Sequence, residues 1–109
     1  MEFEVKILEQ AEQFIYTLPD KMQAKIRRAI ELLKMFGFSL SKPHSKKITN
    51  VDYLYELRVK LGSDICRLFY FHHKENIYII TSGYVKKKDK TDKDEIKKAV
   101  NIMNQIKGD

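Results

Sequence analysis

The sequence contains no tryptophan and a single cysteine, and only two prolines and four glycines punctuate its 109 residues. Cys66 cannot close an internal disulfide, and nowhere do cysteine and histidine recur at zinc-ligand spacing, so neither a disulfide framework nor a metal site is expected, and no cofactor is called for. No Gly-rich phosphate loop, Ser/His/Asp grouping or paired carboxylates stand out, which removes the common nucleotide-binding and hydrolase signatures. Long apolar runs are missing too. The opening residues MEFEVKILEQ lack the apolar core of a secretory signal and no window is long enough to span a bilayer, so a cytoplasmic protein without a membrane partner is expected. Acidic residues are the other shortage: 15 against 21 Lys and Arg leave a net charge of +6. Such a surplus on a small chain most commonly serves a phosphate-bearing partner, with solubility as the plain alternative.

What is present is enough for one domain spanning residues 1–109, anchored by twelve aromatics. FEVKI at 3–7 alternates as a half-buried strand does. Over 8–18 the apolar positions Leu8, Ala11, Phe14, Ile15 and Leu18 recur at three- and four-residue steps, the mark of a short amphipathic helix. After Pro19, suited to the first turn of a helix, Met22, Ile26, Ile30 and Leu33 form a second helical stripe that Gly37 can close. Arg27 and Arg28 fall outside that stripe, on a solvated face. The polar stretch 39–52, with Pro43 and the basic residues Lys42, His44, Lys46 and Lys47, reads as a loop. Runs at 53–60, 65–73 and 77–84, rich in β-branched and aromatic residues, predict a three-stranded antiparallel meander. Thr91 and Asp92 precede a last helical stripe of Ile96, Ala99, Val100, Met103 and Ile106, with Asp94 and Glu95 suited to its first turn. The fold class expected is α+β: an N-terminal strand and helical hairpin packed on an antiparallel sheet, then a C-terminal helix.

The chemistry follows from register. With Gly62 and Ser63 as a two-residue type II′ loop, Leu61 opposes Asp64, Val59 opposes Cys66, Leu57 opposes Leu68 and Tyr55 opposes Tyr70, which makes one apolar face. The other face sets Arg58 directly against Arg67 with Glu56 beside them. Like charges in that arrangement cost stability, which a bound anion would relieve, and by this reasoning Arg67→Ala should leave stability equal or higher. If Glu75 and Asn76 form the next hairpin tip, Tyr84 opposes Arg67 on the same face, ahead of Lys86, Lys87, Lys88 and Lys90. Cys66 falls on the apolar face as an inert core residue, and His72 likewise; of the histidines, His44 in the basic segment is the one to test for catalysis.

The segments LYELRVKLGSDICRLFYF and GYVKKKDKTDKDEIKKA resemble the phage-derived, HigB-type branch of the RelE/ParE toxin superfamily: a strand ending ELR, a glycine turn, an arginine-entered aromatic strand, then a glycine–aromatic–hydrophobic–lysine–lysine run before a helix. Glu56, Leu57, Arg58, Arg67, Gly83, Tyr84, Lys86, Lys87, Lys90, Thr91, Glu95 and Ile96 match that pattern in order, and the likeness runs upstream through the helical hairpin, Gly37 and PHSKKI. Tyr84 departs from it, standing where the branch usually has phenylalanine. The resemblance implies the RelE-like (microbial ribonuclease-like) fold, ribosome-dependent cleavage of mRNA, and neutralisation by a cognate antitoxin of a type II toxin–antitoxin system. That antitoxin is expected to be a small helix-turn-helix DNA-binding protein, and the complex a higher-order oligomer. ParE-like members of the superfamily inhibit DNA gyrase instead, which is the alternative function.

Cutting RNA without a metal requires the 2′-hydroxyl to attack phosphorus, with a base, charge neutralisation and protonation of the departing 5′-oxygen. In that scheme Arg58 and Arg67 neutralise charge. Lys86 or Lys87 steadies the phosphate, and one of them, its pKa depressed by cationic neighbours, is available for proton transfer. Tyr84 stacks on a base or donates a proton; Glu56 orients Arg58 or serves as base. His44, Lys46, Lys47, Lys88 and Lys90 are the candidate RNA contacts.

Overall fold

The computed structural model describes residues 2–86 and 90–108. In chain order it has β1 (Glu4–Ile7), α1 (Glu9–Tyr16), α2 (Asp20–Phe36), a 3₁₀ turn (Gly37–Ser39), β2 (Ser45–Lys47), β3 (Leu54–Leu61), β4 (Asp64–Lys74), β5 (Ile77–Lys86) and α3 (Lys93–Gly108). The strands make one five-stranded sheet in the order β1-β5-β4-β3-β2. β1 therefore belongs to the sheet and does not merely lean on it: it pairs parallel to β5, Val5 against Tyr78 and Ile7 against Ile80. The sheet is mixed, with an antiparallel body and one parallel edge.

The helical hairpin lies where its stripes predict. Ala11 and Ile15 of α1 and Met22, Ile26, Ala29, Ile30 and Leu33 of α2 bury against Leu57, Val59, Cys66, Leu68, Tyr70, Tyr78 and Ile80 on one sheet face. Pro19 stands just before the first helical residue rather than inside the first turn, its carbonyl accepting from Gln23 N at 3.0 Å. Gly37 ends α2 for two reasons. Its φ is +50°, and a Cβ there would lie 2.1 Å from the Phe3 ring, which the bond from Phe3 N to Lys34 O (2.7 Å) draws against the helix end.

α3 covers the second face, where Ala99 and Met103 pack with Leu54, Phe69, Phe71, Ile79 and Tyr84. Both faces of the central strands are thus largely buried. The polar stretch expected to be loop throughout contains β2, paired to β3 with Lys46 opposite Glu56. A serine and two lysines carry no strand period, and this strand is held by its neighbour and by Ser45, whose buried hydroxyl hydrogen-bonds Tyr70.

Candidate functional site at the β3–β4–β5 junction

Gly62 takes φ +61° in the hairpin loop, as a type II′ turn needs at its first central position, and the β3–β4 register follows as expected: Leu61 against Asp64, Val59 against Cys66, Arg58 against Arg67. Tyr84 opposes Arg67 on the next strand. The like-charge pair has a built-in counter-ion. Glu56 places Oε1 3.9 Å from Arg58 Nε and Oε2 3.7 Å from Arg67 Nε, and Thr91 Oγ1 donates to Oε2 at 2.9 Å. Arg67 is 0% and Glu56 1% exposed, while the Arg58 side chain keeps 27% of its surface in solvent.

This burial corrects one expectation. Removing Arg67 would relieve repulsion only on an open sheet; here it would take from a buried carboxylate its buried partner, leaving Arg58 and Thr91, and breaking a buried pair from one side is costly.

Tyr84 is 8% exposed, stacks on Phe69 (5.9 Å, 16°) and has its ring centroid 5.8 Å from the Arg67 guanidinium carbon. Its hydroxyl accepts from Asp92 N at 2.6 Å. Burial raises the Tyr84 pKa, so the phenol keeps its proton at neutral pH. Gly83 precedes it because nothing larger fits: a Cβ would lie 2.4 Å from Leu68 Cδ2 and 2.9 Å from Phe14 Cε2.

Lys86 is ion-paired with Asp92. That hydrogen bond raises the lysine pKa and lowers the aspartate's. A depressed lysine, offered above as a proton carrier, is therefore not found at Lys86: its neighbour is an anion, and the ammonium is held charged. Asp92 also caps α3, its Oδ1 accepting from Asp94 N (2.9 Å) and Glu95 N (3.3 Å). Thr91 and Asp92 thus fasten the start of α3 onto the site, a role that reading them only as a helix beginning missed. The signal was in the sequence, since Thr91 belongs to the motif that follows the lysine run.

Of the other candidates, Lys46 stands opposite Glu56 and so shares the site's face, whereas Lys47, opposite Tyr55, alternates to the other. His44 is exposed, and its carbonyl accepts from Arg58 N at 2.9 Å. Lys90 is exposed just ahead of Thr91. Lys87 and Lys88 lie outside the described residues. Cys66 is buried and its thiol is pushed up to about 12 by desolvation, which makes it a poor nucleophile. His72 hydrogen-bonds the Glu75 carbonyl and packs on Phe38 and Tyr78. Among the described residues no three His, Cys, Asp or Glu stand close enough to hold a metal ion, and no helix is long and apolar enough to cross a membrane.

This sheet order, with a helical hairpin on one face and a terminal helix on the other, is the fold of the RelE toxins. The structure of a free E. coli RelE toxin mutant, two arginines replaced by alanine, aligns with a TM-score of 0.69 over 93% of this chain and 97% of that one at 13% identity. The YoeB dimer from Staphylococcus aureus aligns at 0.57 over 75% and 94% with 20% identity, and the intact E. coli RelBE toxin–antitoxin complex at 0.54 over 81% and 99% with 17%. At such identities the likeness establishes the fold. No curated protein matches the sequence. The family model described as phage derived protein Gp49-like (DUF891) matches residues 13–104, and the chain belongs to that family.

Proposed function

We propose that this protein is the toxin of a type II toxin–antitoxin pair of the HigB type, an endoribonuclease that cuts mRNA on the ribosome through the message's own 2′-hydroxyl. One observation carries the reading. Two arginines face each other across a hairpin whose register cannot slip without exposing the core, with a tyrosine opposite one of them and a lysine two residues beyond, at the place where the RelE fold brings three strands together. Planar guanidinium forks suit the charge that builds on a phosphorane. Glu56 is the positioning residue, bridging both forks. Tyr84, protonated at neutral pH, is the group suited to give a proton to the departing 5′-oxygen. Lys86, held charged, steadies the phosphate.

The set is modest in acid–base strength, which fits an enzyme that leaves alignment of the RNA to the ribosome. Because Arg67 is fully covered, a phosphate reaches it only when groups packed on it, Tyr84 among them, yield. A small helix-turn-helix antitoxin encoded beside the chain, in a higher-order complex with it, is the partner we assign. RelE proteins in solved complexes with RelB antitoxins support this reading. Brief expression followed by primer extension on a cellular transcript is the test. New 5′ ends inside the message are expected; intact mRNA with double-strand DNA breaks would point to gyrase, and intact mRNA with intact DNA would leave only RNA binding.

A further inference from the structure

A groove of about 570 Å³ runs between α2 and the rim of β3, next to the site and sharing Arg58 with it. Its walls carry Lys25, Arg28, Lys42, Arg58 and Lys60, and among the described residues no carboxylate lines it. Its floor is aliphatic, built from Ala29, Leu32, Pro43, Val59 and Ile65. His44 lines it as well, but among the described residues no Phe, Tyr or Trp does, so the aromatic platform that single-stranded nucleic-acid sites ordinarily supply is reduced here to one imidazole. The floor also exposes backbone. β2 stops where Ser45 meets Leu57, the His44 carbonyl takes Arg58 N, and beyond that point, among the described residues, no strand pairs with 59–61 on that edge. The Lys25 ammonium reaches over it, donating to Lys60 O at 2.9 Å. A free strand edge is a template for another polypeptide.

We propose that this groove is the docking site of the antitoxin, and that the docking segment is acidic with aliphatic anchors. The inference rests on reading the chain as an antitoxin-restrained toxin and adds where and by what chemistry it is held. Carboxylates of the segment meet the cationic walls, Leu or Ile side chains take the floor, and the occupant ends against Arg58, so one arginine of the cleavage site is masked directly. Six excess positive charges steer such a partner and make its association rate fall with salt.

The test uses the full-length chain and the protein encoded by the adjoining reading frame, with Arg28→Glu and Leu32→Ala as variants. Arg28 is exposed and neither residue belongs to the cleavage set, so each variant should arrest growth like the parent when expressed alone. Each should bind the antitoxin about tenfold more weakly or worse, and Arg28→Glu should flatten the salt dependence of the association rate. Unchanged affinity in both variants overturns the groove as docking site while the antitoxin reading stands. Loss of growth arrest with antitoxin affinity intact also overturns it, because the groove would then serve RNA or the ribosome. If the parent chain itself forms no complex, the antitoxin reading fails and the groove proposal falls with it.

Discussion

Glu56 holds two arginines that would otherwise repel, and one of them has no solvent to retreat to. Replacing Arg67 by Ala removes one partner of a buried pair and opens a cavity, and a loss of about 3–5 kcal/mol in urea unfolding is expected. Glu56→Gln should also destabilise; a change below about 1 kcal/mol in both would mean the pair is not closed in solution. Loss of growth arrest in Arg67→Ala therefore says nothing about catalysis unless folding is measured beside it, and Arg58→Ala, at the half-exposed partner, is the cleaner probe. Exposed Lys86 and partly buried Asp92 act through pH. The Asp92 pKa is lowered, so its contribution is present above the ordinary aspartate range and disappears as pH falls through the depressed value. The Lys86 pKa is raised, so its contribution is present below the ordinary lysine range and disappears as pH rises through the raised value. Unfolding measured from pH 2 to 6 should show Asp92→Asn with a shallower acid slope than the parent; identical slopes would contradict the ion pair.

At the scale of elements, the β4–β5 pairing shows how much strand parity can and cannot yield. Counting back from a Glu75–Asn76 tip places Tyr84 opposite Arg67, and the structure agrees, with Lys74 opposite Ile77 at the near end. Between those points the pairing slips by one residue and slips back, at irregularities between His72 and Lys74 and between Phe69 and Tyr70. The two shifts cancel at the site. In the stretch between them they turn Tyr78 and Ile80 toward the helical hairpin and Ile79 toward α3. No local pattern announces such compensating bulges, because between them apolar and aromatic side chains such as Tyr70, Phe71, Tyr78, Ile79 and Ile80 fall on both faces. β2 was illegible for the opposite reason, its residues Ser45, Lys46 and Lys47 being polar and its strand conformation imposed by β3. β1 read correctly as a strand, but its parallel partner lies more than seventy residues away and leaves no trace in five residues. The site's arginine pair was readable because a glycine turn fixes a hairpin's register; Glu56 as shared counter-ion was not, because nothing local says that α3 will close over it. That closure depends on Asp92 capping the helix, so Asp92→Ala should cost about 1 kcal/mol and also release Lys86. Hydrogen exchange at the start of α3 would register it; unchanged protection there would contradict the role given to the cap.

For the whole molecule, most apolar side chains go into two cores on either side of one sheet, and at the β3–β4–β5 junction lies a charged knot too buried to be an ordinary surface ion pair. That knot lies on the face that α3 covers, and the basic groove runs along the rim of the same strands. On the proposed function, this knot cleaves RNA through the substrate's own 2′-hydroxyl. Purified chain added to ribosomes carrying a message with the ordinary ribose at the cut position should leave a 2′,3′-cyclic phosphate or 3′-phosphate end, and the same message with a single 2′-deoxy sugar there should stay whole. Cutting of the deoxy message at the same position and a similar rate would contradict the claim.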